Sequence, residues 1–497
     1  MIVSTELQDC MVNGYPSKKI VISYIKKDGS IGYFSYDIPR NDLYTWKYAE
    51  QGDVQDTKYV SWDKKPVCKI FPKNGKIGEQ RIHEILVDLE KAYPRLSELH
   101  ELNIPDIAFC DIEVDVDESG FPEAETAKNQ VNTISWVHKN DVIVFGLANL
   151  NKNQITDIQK RIDKHCEKFG NSYKFEYRYY ASEMEMLVDF MRGYVFSTPC
   201  VTGWNFMRYD WQYLYNRCTL LNIDISWLSP TNTWSKYSLL DMFNNGEKRR
   251  VPIPNHKLLF DYMEVYFKWD TSINPKESYK LDDVGNVAVG VKKVQHDMGF
   301  TEMWQKTPDD YVFYNAVDSI LVCELDKKLK TANILYSLAN LIHCDCIMAF
   351  SPVISLQIVQ CETMYKEGKV FPKDDKKIDD NAEGGYTGAF VYEPIPGKYK
   401  NVIALDFASL YPTTMRQFNI SPDTFIKKDK DYEPKSDEIK CVTGAVYKRN
   451  EEGMLPKILT SFYNQRKAYK KEMKIATQEM YDLEDIYEKR FGKAVEL

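Results

Sequence analysis

The sequence predicts a multidomain protein of the α/β and α+β classes. Three observations lead to this prediction: a length of 497 residues, short strand-like runs that alternate with helical ones, and one buried strand that carries acids. At a typical domain size of about 150 residues, this length suggests roughly three domains. The hydrophobic content of 43% and charged content of 28% are typical of a soluble globular protein.

The net charge and the cysteine content limit the possible functions and the cellular location of the protein. The formal net charge of −8 excludes a basic field over the whole chain, so any nucleic-acid binding must come from local patches. The eleven cysteines fit neither a zinc ribbon nor a disulfide framework, and we expect them to be reduced and structural. The first residues predict no secretory signal, and no apolar run reaches the roughly 18 residues that span a bilayer. We therefore expect a cytoplasmic protein with no membrane partner.

Residues 1–103 predict a compact α+β domain. The strand-like runs KKIVISYI, SIGYFSYDI and VCKIF alternate with turn residues, and QRIHEILVDLEKAY places its apolar residues on one face of a helix. Strands beside helices can form an RNA-binding platform, but the same pattern describes many scaffolds. We therefore favour a structural role for this domain over RNA binding.

The stretch IAFCDIEVDV, residues 107–116, predicts a buried strand with unusual acids. Side chains in a strand alternate between faces, so Asp111 and Glu113 point the same way, together with Asp115 if the strand runs that far. Carboxylates this close repel each other, and a hard divalent cation such as Mg²⁺ or Mn²⁺ would resolve the repulsion. A solvated acidic face is the alternative, and for an isolated pair it would be favoured.

The residues around this strand predict how the domain continues. The runs VNTISWVH and DVIVFGLANL predict a meander with the acidic strand, and helices follow at about 157–168 and 182–192. Residues 247–262 contain two strand-like arms around a turn, which suggests a hairpin with local positive charge from Arg249 and Arg250. Residues 334–350 predict a buried helix because polar residues interrupt the apolar run.

Two further stretches carry acids. Residues 201–204 predict a short strand, and a helix begins near Asp210, where an acid is common for dipole reasons alone. Residues 308–329 predict a helix on which Tyr314 and Asp318 lie four residues apart, and hence on one face. Asp318 lies beside the apolar stripe of that helix, where an unpaired carboxylate is costly.

Together these acids suggest hydrolytic phosphoryl transfer. Four converging carboxylates can hold two divalent ions, which stabilise the attacking and leaving oxygens at phosphorus. A tyrosine one helical turn from the last acid can orient the attacking water.

The stretches FCDIEVD, GWNFMRYD and YNAVDS, in this order, resemble the DEDDy 3′-to-5′ proofreading exonucleases. That resemblance implies a ribonuclease H-like domain with a mixed sheet. It also implies that Tyr314 positions water and that Asn205 contacts DNA. The implied metal ligands, for two Mg²⁺ or Mn²⁺ ions, are Asp111, Glu113, Asp210 and Asp318.

A second candidate site follows a link rich in Lys and Asp. VIALDF predicts a buried strand that ends in Asp406, and Ser409 could cap the short helix that follows. The stretches DFASLYPTTMRQFNISPDT and YTGAFVYEPIP resemble the family B DNA polymerases, among them the replicative enzymes of T-even-like bacteriophages. By this resemblance Asp406 is a metal ligand of a polymerase site that holds two ions when complete. The implied nucleotide-binding residues are Ser409, Leu410 and Tyr411, and the implied DNA-binding residues are Tyr386, Gly388 and Ala389.

The run LPKILTSFYNQRKAYKKEMKIA predicts a basic helix. Arg466 and Lys470 are four residues apart, so they share a face and can clamp a triphosphate, although most charge runs are solvated faces. In the family this helix opens the fingers, which favours the functional interpretation, more firmly for Arg466.

The resemblance implies four regions. They are an N-terminal domain (1–104, also receiving 332–380), the exonuclease domain (105–331), a partial palm (381–450) and the start of the fingers (451–497). The family's second fingers helix and its Asp-Thr-Asp-Ser turn do not occur in the sequence, and Asp406 alone cannot complete a two-metal site. We therefore expect the N-terminal piece of a split DNA polymerase.

The expected partners are primer–template DNA, deoxynucleoside triphosphates, a C-terminal polymerase subunit and, through that subunit, a sliding clamp. The expected location, for a phage-encoded protein, is the host cytoplasm. Two alternatives stay open: a self-sufficient exonuclease with a polymerase remnant, and a regulatory module whose N-terminal domain binds RNA.

Overall fold

The structure, a computed structural model, describes the chain apart from residues 13, 95, 97–98, 100, 117–119, 121, 239–249, 271–277, 292, 295–297, 374–391 and 493–497. It divides into two compact units. The first contains Met1–Arg40 and Glu90–Ser355, and the second contains Asn41–Leu89 and Leu356–Leu497. Residues 1–103, predicted as one domain, therefore contribute to both units. The domain boundaries drawn from the sequence remain predictions.

The regular elements are numbered in chain order within the described residues. The strands are β1 (Ile2–Val12), β2 (Tyr15–Ile25), β3 (Ile31–Ile38), β4 (Thr45–Tyr48), β5 (Val60–Ser61), β6 (Val67–Ile70), β7 (Ile107–Val114), β8 (Val131–His138), β9 (Asp141–Gly146), β10 (Lys174–Tyr179), β11 (Cys200–Thr202), β12 (Trp234–Ser238), β13 (Arg250–Pro254), β14 (Leu258–Leu259), β15 (Lys369–Val370), β16 (Phe425–Lys428), β17 (Glu438–Lys440) and β18 (Ala445–Lys448). The helices are α1 (Glu79–Ala92), α2 (Lys152–Cys166), α3 (Glu183–Phe190), α4 (Asp210–Leu220), α5 (Tyr262–Trp269), α6 (Leu281–Val289), α7 (Phe300–Lys306), α8 (Pro308–Leu329), α9 (Thr331–Ile342), α10 (Pro352–Lys366), α11 (Leu410–Gln417) and α12 (Met454–Phe491). Among these helices, none has the length and apolar character that crossing a membrane requires.

A six-stranded mixed sheet forms the centre of the first unit. Its strand order is β10-β9-β8-β7-β11-β14. Strands β7, β8 and β9 are antiparallel neighbours, whereas β10, β11 and β14 run parallel to the strands they pair with. The predicted meander is confirmed. The acidic strand lies inside the sheet, with paired strands on both sides.

The three elements that carry the predicted acids form as their sequences require. Strand β7 ends at Val114, so Asp115 falls outside it. Helix α8 has the predicted bounds of 308–329. Its first position is Pro308, and acids in its first turn and lysines in its last turn complement the helix dipole. Helix α4 starts at Asp210, as predicted.

Smaller sheets account for the remaining strands. In the first unit, β1, β2 and β3 form an antiparallel sheet, and RNA binding by this region stays a prediction. In the second unit, β4 pairs with β6, and β16, β18 and β17 form a three-stranded sheet. Strand β15, from the segment predicted to return to the N-terminal domain, pairs with β5.

The predicted hairpin at residues 247–262 is wrong. Its two arms, β13 and β14, join different sheets: β13 pairs with β12, and β14 pairs with β11. The turn between them contains His256, whose backbone is left-handed with φ of 65°. The turn therefore connects strands of two different sheets, because neither arm pairs with the other.

The prediction of a buried strand at VIALDF is also wrong. Residues 402–407 have no strand structure and are exposed, and Leu405 is 89% exposed. A strand needs a neighbour for its backbone groups, and none of the described residues pairs with this segment. The apolar sequence is compatible with a strand, but within the described chain it stays unpaired.

The buried helix predicted at 334–350 is only partly correct. Helix α9 ends at Ile342, where His343 adopts a left-handed conformation with φ of 58°. A short 3₁₀ turn, Met348–Phe350, follows. One face of α9 is buried, and Ile334 and Leu341 on the other face are exposed.

Candidate active site

Strand β7 presents two acids on one of its faces. Alternate residues from Cys110 to Val114 pack into the hydrophobic core. Asp111 and Glu113 therefore point to the opposite face, where both are half-buried. The alternation read from the sequence is confirmed in the structure.

Helix α8 lies over this face and contributes a third acid. Asn315 Nδ2 of the helix donates a hydrogen bond to Asp111 Oδ2 at 2.7 Å. One turn further on, Asp318 is buried. One carboxylate oxygen from each of Asp111, Glu113 and Asp318 lies within 4.8 Å of the other two. The structure thus brings together three of the four acids predicted as metal ligands.

The donor set of this cluster fits a hard divalent cation. All three ligands offer carboxylate oxygens, which suit Mg²⁺ or Mn²⁺ better than a soft metal. Asp318 Oδ1 is buried and accepts no hydrogen bond from the described residues. A buried acceptor without a donor is costly. A divalent ion at the cluster would satisfy this oxygen and remove the repulsion among the acids.

The protonation behaviour of the cluster reflects that repulsion. Burial raises the pKa of Asp111 to about 7, and the charge of Asp318 adds to the shift. Burial, followed by repulsion from Asp111 and Asp318, raises the pKa of Glu113 well above its usual value. Burial also raises the pKa of Asp318, and Lys293 offsets part of that shift. Without a cation the three acids therefore resist full ionisation.

A lysine and a tyrosine border the cluster. Lys293 Nζ donates to Asp318 Oδ2 at 2.5 Å and to the Tyr314 hydroxyl at 3.3 Å. Burial disfavours the ammonium, but Asp318 and Tyr314 outweigh this effect and raise the pKa of Lys293. Burial, and then the charge of Asp318, raise the pKa of Tyr314. Both groups therefore keep their protons and act as hydrogen-bond donors beside the acids.

Asp210 lies against the backbone of β7. It is buried, and its Oδ1 accepts a hydrogen bond from Ile112 N at 3.0 Å. Burial raises its pKa, and the charge of Asp111 adds to the shift. The preceding loop can approach β7 this closely because residue 203 is glycine: a Cβ there would clash with the carbonyl oxygen of Cys110. Asp210 is next to the cluster, and its role as a ligand stays a prediction.

A buried acid holds the loop that leads to Asp210. Asp261 accepts hydrogen bonds from the backbone N–H of Asn205 and of Met207, both at 3.1 Å, and it caps α5 through Met263 N at 3.0 Å. Burial raises its pKa to about 7. Asn205 itself is left-handed, with φ of 63°, a conformation that Asn tolerates. The predicted contact of Asn205 with DNA stays a prediction.

The residues predicted for the polymerase site lie in the second unit. Asp406 is exposed and belongs to no cluster of metal-ligating side chains among the described residues. Ser409 precedes α11 in a left-handed conformation, with φ of 53°, and its side chain does not cap the helix. Leu410 and Tyr411 begin α11, and Tyr411 is exposed.

The predicted basic helix is confirmed as α12, which extends to Phe491. Arg466 and Lys470 are exposed on it, one turn apart. Helix α11 packs on α12, where the Arg416 guanidinium lies over the Tyr463 ring at 5.0 Å from its centre. The three residues predicted to bind template DNA lie outside the described residues: Tyr386, Gly388 and Ala389.

Comparison with known proteins identifies the family. The sequence model for "DNA polymerase family B, exonuclease domain" matches residues 40–284, which include the acids of β7. The sequence model for "DNA polymerase family B" matches residues 352–491, which include Asp406. The chain belongs to DNA polymerase family B.

Relatives of this family B chain include phage and viral polymerases. It is 28% identical over 463 residues to the DNA-directed DNA polymerase of Escherichia phage RB69, covering 85% of the chain and 50% of that protein. It is 27% identical over 391 residues to the DNA-directed DNA polymerase of Enterobacteria phage T4, covering 74% and 42%. A DNA polymerase catalytic subunit of Saimiriine herpesvirus 2 is 27% identical over 404 residues, covering 76% and 37%. The family B chain thus spans half or less of the length of these relatives.

Sequence reasoning missed Lys293 and Asp261 in this family B chain. Lys293 follows a short helix and has no neighbouring pattern, so no sequence signal pointed to it. Asp261 did have a signal: it ends the apolar run KLLFD, just as Asp406 ends VIALD. An acid at the end of a buried run is costly unless it has partners, and Asp261 has three backbone donors.

Proposed function

We propose that the chain is a metal-dependent 3′-to-5′ exonuclease that acts on DNA as part of a family B DNA polymerase. The observation that carries this proposal is the cluster of Asp111, Glu113 and Asp318, whose oxygens lie within 4.8 Å of one another. The match of the family's exonuclease domain to residues 40–284 supports it. A ribonuclease H-like fold, built on the mixed six-stranded sheet, belongs to the same proposal.

The proposed cofactor is Mg²⁺ or Mn²⁺, with two ions at the exonuclease site. Asp111, Glu113 and Asp318 would hold them, and Asp210 would complete the donor set from the start of α4. When bound, such ions stabilise negative charge at phosphorus and make a bound water more acidic.

The neighbouring side chains have distinct roles in this proposal. Tyr314 keeps its proton because burial and Asp318 raise its pKa, so its hydroxyl can orient the attacking water. The Lys293 ammonium lies beside it and can neutralise charge that develops on a phosphate oxygen. Hydrolysis forms a bond from the water oxygen to phosphorus and breaks the terminal phosphodiester bond. The 3′-oxygen left on the DNA takes up a proton, and a nucleoside 5′-monophosphate leaves.

The function is tested with single-stranded DNA labelled at either end. We expect the chain alone, with Mg²⁺, to release a labelled mononucleotide at once from 3′-labelled DNA. The 5′-labelled strand should shorten by one nucleotide at a time. EDTA should stop both reactions. Release of oligonucleotides from the interior, or activity that persists in EDTA, would contradict the proposal.

Stability should depend on pH and on Mg²⁺ in a linked way. The pKa of Asp111 is about 7 in the folded chain and near its usual low value when unfolded, so the folded state binds more protons between these values. In EDTA the free energy of unfolding should therefore fall as pH rises from about 4 to about 7. A bound divalent ion favours the ionised acids, so Mg²⁺ should raise the melting temperature by several degrees at about pH 8 and little at about pH 5.

Matched variants identify the source of this linkage, with melting curves as the measurement. Asp111→Asn combined with Glu113→Gln should reduce the pH dependence and remove the response to Mg²⁺. The pH dependence that remains comes from Asp210, Asp261 and Asp318, whose pKa values burial also raises. Asp115→Asn removes one charge just beyond the end of β7 and should retain both effects. A response to Mg²⁺ that is equal in all three proteins would place the ion elsewhere.

We further propose that DNA synthesis by this chain needs additional polypeptide, supplied by a C-terminal polymerase subunit. Two exposed apolar surfaces support this. One is residues 402–407 around Asp406. The other is a stripe on α12 whose members lie three, four or seven residues apart, and hence on one face of the helix: Tyr469, Met473, Met480, Leu483 and Tyr487. Contiguous exposed apolar surface marks an interaction site.

Several finer assignments belong to the same proposal. The substrates would be primer–template DNA and deoxynucleoside triphosphates, the latter bound near Asp406, Tyr411 and Arg466. The polymerase site would hold two divalent ions once the partner adds its carboxylates. The sliding clamp would bind through that partner, and the site of action would be the cytoplasm of a phage host.

Mixing experiments test the need for a partner. Neither the chain alone nor the C-terminal polymerase subunit alone should extend a primer. A mixture of the two should extend it. Met473→Glu, which puts a charge in the α12 stripe, should weaken the pairing by about tenfold or more, since burying an unpaired charge costs more than 1.4 kcal/mol. Ile475→Glu is the control, because this residue is similarly exposed but lies off the stripe. No extension after mixing, or equal effects of both variants, would count against the stripe as the interface.

A further inference from the structure

A cavity of about 420 Å³ lies between helices α2 and α8, outside the acidic cluster. Helix α8 turns Asp318 toward β7, whereas Phe313, five residues earlier, faces α2. The cavity lies on this second side. Its lining residues are Arg161, Lys164, His165, Lys168, Val291 and Phe313.

One wall of the cavity is flat and fixed. The Arg161 guanidinium lies over the Phe313 ring, 4.3 Å from its centre. Arg161 also bonds to Asp310 at 2.8 Å and lies 3.8 Å from Asp309. Its charge is therefore already balanced, and its contribution to the cavity is a rigid planar surface. Val291 and Phe313, both buried, add apolar surface beside it.

Two lysines in the lining of the cavity carry further positive charge. Lys164 and Lys168 are exposed and lie four residues apart, and neither forms an ion pair within the described part of the chain. Burial, and then the charge of Lys168, lower the pKa of His165, which keeps that imidazole neutral. Among the described residues, no acid lines the cavity. Lysines near the end of a helix complement its dipole, but that effect does not account for an apolar cavity beside them.

The cavity thus combines a planar apolar wall with two lysines that form no ion pair among the residues that the structure describes. A ligand that fits has a flat ring and an anionic group, and a volume of about 400 Å³ is typical of small-molecule sites. Nucleobases stack on aromatic and guanidinium surfaces, and lysines bind phosphate as point charges.

We propose that this cavity is a second nucleotide site, which binds a nucleoside monophosphate. The choice of the monophosphate rests on the proposed exonuclease function, because that reaction releases this class of compound beside α8. Deoxyadenosine 5′-monophosphate is the probe. Its base would stack on Arg161 and Phe313, and its phosphate would lie between Lys164 and Lys168.

The test is isothermal titration of the full chain in EDTA, in a background of Asp111→Asn with Glu113→Gln. This background removes metal-dependent binding at the acidic cluster. Deoxyadenosine 5′-monophosphate should bind at a single site, and both deoxyadenosine and inorganic phosphate should bind at least about tenfold more weakly. Lys164→Glu with Lys168→Glu should weaken binding of the nucleotide by at least about tenfold. The matched control is Lys152→Glu with Lys160→Glu, which makes the same charge change at exposed positions of α2 that do not line the cavity.

The outcomes separate clearly. The proposal would be overturned if the two double lysine variants lost nucleotide affinity equally, or if neither lost it. Binding of a single-stranded oligonucleotide through Lys164 and Lys168 without binding of the mononucleotide would also overturn it, since the surface would then hold DNA. The titration needs neither metal nor the exonuclease acids, so its failure leaves the exonuclease assay unaffected. Failure of that assay would in turn leave a measured nucleotide affinity intact.

Discussion

Asp111→Asn combined with Glu113→Gln will lower the rate of 3′-nucleotide release by about 10³-fold or more. Both substitutions preserve side-chain size and leave the core face of β7 unchanged, but they remove two of the three charges in the cluster. Bound ions contribute several kcal/mol of charge stabilisation in the transition state, and each 1.36 kcal/mol changes a rate tenfold. The measurement is the release of a 3′-terminal label from single-stranded DNA at saturating Mg²⁺.

Two controls separate chemistry from folding in this experiment. Asp115→Asn removes a charge two residues after Glu113, outside the strand, and should leave the rate within about twofold of the parent. In EDTA at neutral pH the double variant should melt at or above the parent temperature, because the charges it removes repel each other in the folded state. A double variant that folds and retains more than about a tenth of the activity would rule out these carboxylates as the metal site.

The parts of the fold that sequence could predict are those set by local periodicity. Acids two residues apart within an apolar strand must share a face, and this placed Asp111 and Glu113 correctly. Helix α8 was predicted at its observed bounds, and Pro308, the first-turn acids and the last-turn lysines are local signals that mark both of its ends. Three of the four predicted ligands meet because each lies on an element with a strong local pattern.

The failures occurred where long-range pairing decides the structure. The two arms around His256 have the composition of a hairpin, yet β13 pairs with the preceding strand β12 and β14 pairs with the distant strand β11. Residues 402–407 have the composition of a buried strand, but an apolar run forms a strand only beside a partner. The role of Lys293 could not be predicted for a related reason. It depends on a contact with Asp318, 25 residues away in sequence, and no periodicity links the two residues.

That contact makes Lys293 the residue outside the acids with the largest expected effect on activity. Its ammonium lies 2.5 Å from the buried Asp318 carboxylate and also donates to the Tyr314 hydroxyl. Burial raises the pKa of Asp318, and Lys293 is the first group that opposes this shift. Without the ammonium, Asp318 would hold its proton to higher pH, and Tyr314 would lose a fixed neighbour. Both changes act on groups proposed to bind the ions and orient water.

Lys293→Met will therefore reduce exonuclease turnover by about 10²-fold, the usual upper range for a group that supports metal ligands. Because loss of the ammonium raises the pKa of Asp318, the acid limb of the pH–rate profile should move to higher pH, at a fixed Mg²⁺ concentration. Lys293→Arg keeps the charge and should restore much of the rate and the original acid limb. Lys280→Met, at an exposed position before α6, controls for the loss of a positive charge on this side of the unit. A purely structural role would lower the melting temperature without moving the pH profile, and that result would exclude Lys293 as the group that tunes Asp318.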